Sequence, residues 1–243
     1  MKTTSLNNDF KEISLNKILP HLKTTTIGRH FKYFTTLDST NTYCKLLAEK
    51  NCPEGTIVIS EEQTKGRGTK GRIWSSPKGS GLWISILLKP KITTTDISKI
   101  TLITSCALYE TFKKLGINSQ IKWPNDMLIN NKKVCGILTE ANIKENVVNY
   151  IILGVGINVN VSYDDFNDDL KPKATSLKIE ANKEIDRCYV LAIFLNYLEK
   201  FYNQMINNSS LEYFKIYKEN SYILNKTVNI VKNNTVEVVQ VLD

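Results

Sequence analysis

Residues 56–88 read T-I-V-I-S-E-E-Q-T-K-G-R-G-T-K-G-R-I-W-S-S-P-K-G-S-G-L-W-I-S-I-L-L: two apolar runs separated by a basic, glycine-rich segment. The runs at 56–60 and 81–88 have the length and β-branched content of buried strands. Between them Lys65, Arg67, Lys70 and Arg72 alternate with Gly66, Gly68 and Gly71. The glycines let the backbone reach positive φ and approach a ligand closely. The cations supply charge-assisted donors for carboxylate or phosphate oxygens. Trp74 closes the segment with a flat apolar face that suits a bound ring. A loop of this kind between two core strands is a candidate active site, the alternative being a solvated surface turn.

Working outward, the chain predicts a mixed α/β fold. Phe31, Tyr33 and Phe34 suggest an extended segment leading to Asp38-Ser-Thr-Asn41, and Tyr43, Leu46 and Leu47 mark an amphipathic helix after it. Ile97, Ile100, Ile103, Ala107, Leu108, Phe112 and Leu115 repeat at helical spacing up to Gly116. Two strands near 127–129 and 134–140 are joined by Asn130-Asn-Lys-Lys133, where asparagine tolerates the left-handed turn conformation. Residues 150–159 read as a core strand whose glycines, Gly154 and Gly156, mark a close approach to the backbone. A long helix over 187–206 and a shorter one around Leu211, Phe214 and Tyr217 follow. The end alternates as two strands, 226–232 and 235–241, around Asn233-Asn234. The expected organisation is an N-terminal extension over 1–28, a main domain over 29–220 and a β appendage over 221–243.

With 42% apolar and 23% charged residues the composition is that of a globular protein. The net charge of +8 is spread along the chain, which suits an anionic substrate or acidic partner, or else reflects genomic base bias in a lysine- and asparagine-rich chain, and does not by itself indicate DNA. The five cysteines are scattered without a C-x-x-C, so reduced thiols are expected, and His21 and His30 offer no zinc site or catalytic triad. No secretory signal pattern follows Met1-Lys2, and the longest apolar run is far short of the ~20 residues of a membrane span. A soluble cytoplasmic protein is the expectation.

Lys122-Trp-Pro-Asn-Asp-Met-Leu128 is a second distinctive stretch. Trp-Pro holds the chain extended or turned, and places the amide of Asn125 beside the carboxylate of Asp126. Asp126 either orients a cation or amine, or closes an Asx-turn. Asn125 suits phosphate or metal-bound water. Lys133 enters an apolar strand, a place where a lysine either stays solvated or points into a pocket. Ser39, Thr40 and Asn41 at a helix start either cap it or bind a polar ligand head.

Taken in order, S-T-N at 39–41, G-R-G-T-K-G-R-I-W at 66–74, K-W-P-N-D at 122–126, K-V-C-G-I-L at 133–138 and G-V-G-I-N-V at 154–159 resemble biotin–protein ligases across about residues 30–225. The resemblance implies the biotin/lipoate ligase catalytic fold, similar to class II aminoacyl-tRNA synthetases, followed by a shortened SH3-like β segment. It implies formation of biotinyl-5′-adenylate from biotin and ATP, then attack by a lysine of a biotin carboxyl carrier protein. Residues carried over for biotin are Ser39, Thr40, Asn41, Gln63, Arg67, Gly68, Thr69, Lys133, Gly136 and Leu138. Those for the nucleotide are Arg67, Arg72, Trp74, Asn125 and Asn158, with Trp74 over the adenine. Lys133, Arg67, Asp126 and Lys122 take the catalytic roles. Magnesium arrives mainly with ATP, and no protein metal ligands are assigned. A homodimer through a sheet edge is compatible with the resemblance. A lipoyl or octanoyl ligase of the same superfamily, or a non-catalytic biotin sensor, are the alternatives. Neither the histidine-containing motif of lipoate ligases nor a DNA-binding N-terminal domain is recognisable, so repressor activity is not expected.

Two departures from the family pattern stand out. The chain reaches Asp243 after roughly two strands of the C-terminal segment, and Thr69 stands where family members commonly carry another arginine. Loss of a cation beside the adenylate weakens its retention. Thr69→Arg is therefore expected to slow dissociation of biotinyl-adenylate, measured by chasing the labelled intermediate. An unchanged rate would remove Thr69 from the account.

Overall fold

The structure, a computed structural model, describes residues 12–232 and 235–242. The chain runs α1 (Leu15–Ile18), β1 (His30–Phe34), α2 (Thr40–Glu49), β2 (Thr56–Ser60), β3 (Leu82–Leu88), α3 (Ile97–Lys114), β4 (Gln120–Lys122), β5 (Asp126–Ile129), β6 (Lys132–Lys144), β7 (Val147–Ile157), α4 (Leu177–Ala181), α5 (Arg187–Ile206), α6 (Glu212–Glu219), β8 (Thr227–Lys232) and β9 (Thr235–Gln240). Strands β1 to β7 form one sheet in the order β1-β2-β3-β7-β6-β5-β4. Only β1 and β2 pair in parallel, with α2 as their crossover; the other neighbours are antiparallel. This is the mixed α/β sheet with flanking helices that the sequence implied.

Turn chemistry sets the antiparallel half. Asn130 and Asn131 adopt positive φ between β5 and β6, as their side chains permit. Glu145 and Asn146 do the same between β6 and β7, a turn the sequence reading did not identify. It lets β6 continue to Lys144 through polar residues that have no core face of their own.

The sheet is covered on both sides, but differently. Ile84 and Ile86 of β3 and Leu153, Val155 and Ile157 of β7 face α3 and α5, packing with Ile103, Phe112, Phe194, Leu198 and Phe201. The alternate residues of these strands point to the opposite face. There α2 covers one half, with Cys44, Leu47 and Ala48 against Val58, Leu87 and Ile152. The other half is left to Trp74, Trp83, Val161 and Phe166. That half carries the site described below.

Residues 12–28, expected as a weakly patterned extension, contribute Ile13, Ile18, Leu22 and Ile27 to the main core. They run along α5, and their backbone is satisfied by its side chains. Lys23 N–H donates to Asn196 Oδ1 at 2.7 Å, and Asn196 Nδ2 donates to the His21 carbonyl at 2.9 Å. Glu199 accepts from Thr26 N–H at 2.9 Å and Ile27 N–H at 2.6 Å, and also from Thr25. Arg187, at the start of α5, is fully buried and donates to Glu61 at 2.7 Å and to the Gly81 carbonyl at 3.0 Å. Glu61 also accepts from Tyr33, whose phenol is pushed up to about 12 by burial and by that carboxylate. Tertiary hydrogen bonds of this sort leave no periodic trace in the sequence.

β8 and β9 form a separate hairpin with Ile230, Val236 and Val238 exposed. Its expected turn, Asn233-Asn234, lies outside the described residues. The hairpin's inner end is tied by Asn225 N–H to the Val241 carbonyl and Val241 N–H to the Lys226 carbonyl. Among the described residues no helix is long and apolar enough to cross a membrane.

Glu199 provides a test of the α5 anchor. Burial alone would raise its carboxyl; the amides of Thr25, Ile27 and Thr26 and the Thr25 hydroxyl outweigh this and hold it below the usual range. A depressed carboxyl contributes stability above the unfolded-state value and loses it as pH falls through the folded value. Glu199→Gln is expected to lower unfolding free energy at pH 7 by roughly 1.5–3 kcal/mol, the range for hydrogen bonds to a charged group. Urea titrations of parent and variant should converge as pH drops below about 4.

Candidate active site

The site rests on three glycines at neighbouring sheet positions. On β7 Gly154 and Gly156 point to the same face, and Gly156 pairs with Gly136 of β6 and Trp83 of β3. Each lacks a Cβ where a side chain from another element lies on the sheet. A Cβ at Gly154 would run into the Asn41 amide, and one at Gly156 would meet Trp74 Nε1 at 2.5 Å. A Cβ at Gly136 would meet the Trp74 ring at 2.9 Å and the Lys133 side chain at 3.2 Å. The glycines thus let α2 and the basic loop seat polar and aromatic groups directly on the strands.

A network of neutral polar groups gathers beside Gly154. The Thr40 N–H donates to Gln63 Oε1 at 2.8 Å, and the Thr40 hydroxyl donates to the same oxygen at 3.0 Å. Gln63 Nε2 donates to Ser76 Oγ at 2.8 Å. The Ser85 hydroxyl lies 2.7 Å from Thr40 Oγ1 and 2.5 Å from Asn41 Oδ1. Ser39 makes no side-chain cap bond to α2. The first turn of α2 therefore finds its acceptor in Gln63, a residue from another strand end, and capping does not account for the Ser39-Thr-Asn41 run.

Two residues along β7 the character becomes ionic and aromatic. Lys133 Nζ lies 2.6 Å from Asp126 Oδ1 and 5.2 Å from the centroid of the Trp74 ring. Trp74 packs edge-on against the buried Trp83, and its Nε1 is buried without a hydrogen-bond partner. Asn125 Nδ2 donates to the Ile137 carbonyl at 2.8 Å, and Asn158 Nδ2 donates to the Thr175 carbonyl at 3.0 Å. Arg72 donates to the Thr69 hydroxyl at 2.9 Å, so two loop side chains pair with each other.

These groups enclose a cavity of about 320 Å³. Ser39, Thr40, Asn41, Gln63, Arg67, Gly68, Thr69, Lys133, Gly136 and Leu138 all line it, as do Arg72, Trp74, Asn125, Asp126 and Asn158. Lys122 does not: it is an exposed residue of β4, opposite Asp126 in the strand register. Trp74, expected over an adenine, lies on the Gly136–Gly156 floor and lines the cavity. Lys173, Phe166 and Leu170 close another wall, contributed by a segment in which no motif was legible. Glu140, Ser85 and Ser76 were also missed. Period-two alternation from Gly136 and Leu138 would have put Glu140 on the same face of β6.

Cys135, next to Gly136, faces the core and burial pushes its thiol far up, so it offers no thiolate. Among the described residues no three His, Cys, Asp or Glu side chains come close enough to hold a metal ion. The arrangement can bind a small molecule with a hydrogen-bonding head and place its anionic end among cations, without a covalent nucleophile.

Comparison with known proteins is consistent with that chemistry. The profile of the Biotin/lipoate A/B protein ligase family matches residues 33–158, about half of the chain. Over 198 residues the chain is 41% identical to the bifunctional ligase/repressor BirA of Bacillus subtilis (strain 168), covering 81% of this chain and 61% of that one. It is 34% identical over 124 residues to BirA of Escherichia coli (strain K12), covering 51% and 38%. The chain therefore spans about three fifths or less of the length of these relatives. Among solved structures, the biotin protein ligase from Aquifex aeolicus in complex with biotin and ATP superposes with a TM-score of 0.75 at 27% identity, over 87% of this chain and 86% of that one.

The glycine floor predicts an asymmetric alanine series. Gly154→Ala forces the buried, doubly bonded Asn41 to move and is expected to cost about 1–3 kcal/mol, the usual range for overpacking. At Gly68 a Cβ would meet Arg72 only at ordinary contact distances of 3.4 Å and beyond, so Gly68→Ala should leave the melting temperature nearly unchanged. Thermal melts of both variants against the parent check this.

Proposed function

The chain belongs to the biotin/lipoate A/B protein ligase family, and on that premise we propose that it joins biotin to a lysine of a biotin carboxyl carrier protein through biotinyl-5′-adenylate. The observation that carries the choice of biotin is the polar network of Thr40, Asn41, Gln63 and Ser85 beside Gly154, with Ser39 on the same cavity wall. A ureido ring has donors and acceptors for such a network. A dithiolane ring or a plain acyl chain has none, and would leave the network bonded only to itself with no polar contact to the ligand.

In the first step a biotin carboxylate oxygen attacks the α-phosphorus of ATP, and the bond to pyrophosphate breaks with its electron pair leaving on pyrophosphate. Charge builds on the phosphoryl oxygens during this displacement. Lys133, Arg67 and Arg72 line the cavity and supply the fixed positive charge that the transition state needs. In the second step the ε-amine of the acceptor lysine attacks the acyl carbon, AMP departs, and the amine loses a proton. Asp126 is the carboxylate available to take it. Its present partner is Lys133, so a shift of Lys133 toward the substrate carboxylate would free Asp126 for the amine. A mixed anhydride made in this way needs no enzyme nucleophile.

Magnesium would be carried on the ATP phosphates and would neutralise part of their charge. Oxygen donors in the cavity suit it: the carboxylate of Asp126 and the amide groups of Asn125 and Asn158. Burial of the adenylate beneath the glycine loop would exclude water from a hydrolysable intermediate. The proposed setting is cytoplasmic, where ATP and carboxylase carrier domains are found. Acceptor docking, any homodimer and the contribution of Lys122, which stands outside the cavity, belong to this same reading.

The test is the intact mass of an apo biotin carboxyl carrier domain after incubation with this protein, biotin, ATP and magnesium. One biotin-sized increase is expected, dependent on ATP, with Lys133→Ala slowing the reaction by at least about a hundredfold. Transfer of lipoate or octanoate in place of biotin would reassign the substrate. Absence of any transfer would defeat the ligase reading.

A further inference from the structure

Gly136, Leu138 and Glu140 occupy alternate positions on β6 and so share the face that carries the cavity. Glu140 divides its two carboxylate oxygens between partners of opposite character. Oε2 accepts from Asn41 Nδ2 at 2.7 Å. Asn41 is buried, lies on Gly154, and is held on its other side by the Ser85 hydroxyl at 2.5 Å. Oε1 accepts from Arg67 Nη2 at 2.9 Å, and the Arg67 side chain is half exposed. One oxygen is thus fixed from the core side, and the other reaches into the glycine loop.

The loop otherwise closes on itself. Trp74 N–H donates to the Gly66 carbonyl at 3.0 Å and Gly68 N–H to the Arg72 carbonyl at 2.7 Å. Arg72 turns inward to Thr69, and Ile73 is exposed. Among the described residues, Arg67–Glu140 is the one hydrogen-bonded or ionic side-chain link between residues 67–73 and the rest of the fold.

We infer that Glu140 is a positioning residue that latches the glycine loop over the cavity by holding Arg67 at its wall. The latch leaves the other guanidinium N–H groups of Arg67 to meet an anionic ligand. It also limits the loop's excursions before a ligand arrives, so less ordering remains to be done on binding. Because one carboxylate ties Asn41 and Arg67 together, the polar network at Gly154 and the cationic loop are aligned as one unit. Glu140 acts through these neighbours and not on reacting atoms.

Limited trypsin digestion of the full chain without ligands reads the latch directly. Cuts after Arg67, Lys70 and Arg72 are quantified by mass spectrometry and normalised to a synthetic peptide of the same loop sequence. Glu140→Gln keeps the size of the side chain and removes its charge. It is expected to speed these cuts about fivefold, the effect of losing a partly exposed ion pair when cleavage follows the opening equilibrium. In the parent, raising salt from about 50 to about 500 mM should speed the same cuts by screening the pair, and the variant should lose that response. Equal cleavage of parent and variant, with no salt response in the parent, overturns the latch. If the variant unfolds and is cut throughout, the salt response of the parent decides alone.

The alignment of Arg67 toward the ligand rests on the ligase reading and has its own measurement. In the carrier-domain assay Glu140→Gln should raise the half-saturating biotin concentration about fivefold and, because Arg67 also faces the phosphoryl charge, lower the maximal rate. Faster loop cleavage with unchanged biotin dependence would overturn the alignment and leave the latch standing. A parent chain that transfers no biotin defeats the ligase reading, while the digestion still decides the latch.

Discussion

Absence of a Cβ at Gly136, Gly154 and Gly156 is the constraint on which this site is built. A strand normally presents a side chain every second residue on each face, which keeps other elements about 10 Å from the sheet. Here three adjacent positions present only backbone, so Asn41 from α2 and Trp74 from the basic loop rest on the strands themselves. Neighbouring positions on the opposite face, Leu153, Val155 and Ile157, are filled and buried against α3 and α5. One side of the same strands therefore builds the core, and the other leaves room for a ligand and the groups that hold it.

That division separates rigidity from adaptability. The floor belongs to the centre of a seven-stranded sheet, and the ends of β2 and β3 are tied to α5 through the buried Arg187, which pairs with Glu61 and the Gly81 carbonyl. The N-terminal segment is bound to α5 by backbone hydrogen bonds to Glu199 and Asn196. The loop over residues 66–74 is tied mainly to itself. In the proposed adenylating reaction substrates must enter and leave while the intermediate is shielded from water, and a stiff floor with a lightly tethered basic cover suits both demands. The covering loop carries its own charge, so an anionic ligand draws it closed.

Electrostatic arrangement around the floor follows the same logic. Lys133 is offset by Asp126 and lies over Trp74, Arg67 is offset by Glu140, and Arg72 turns to Thr69. Each cation has an interaction that can be exchanged for a substrate oxygen, which avoids a cluster of unbalanced positive charge in the ligand-free chain. The neutral hydrogen-bonding groups near Gly154 are instead locked to one another. They can select a ring by shape and donor pattern, while the cations respond to charge as it develops.

Most of the sheet was legible because its strands announce themselves: runs such as 56–60 and 81–88 are apolar throughout, and Asn130-Asn131 supplies the chemistry of a tight turn. The motifs that line the cavity were equally visible, since glycines, lysines and amides in short fixed patterns have few other uses together. What the sequence determined alone was the mixed α/β class, the basic loop and the set of residues around it. Tertiary structure decided what those residues touch. Residues 12–28 looked like an extension because each apolar side chain stands singly, yet α5 buries them; Lys122 belongs to the quoted K-W-P-N-D run, yet lies outside the cavity. Glu140, Ser85, Lys173 and the Arg187–Glu61 pair were invisible for a common reason. Their roles come from contacts between residues dozens of positions apart, set by strand register and helix packing, and neither leaves a local pattern in the chain.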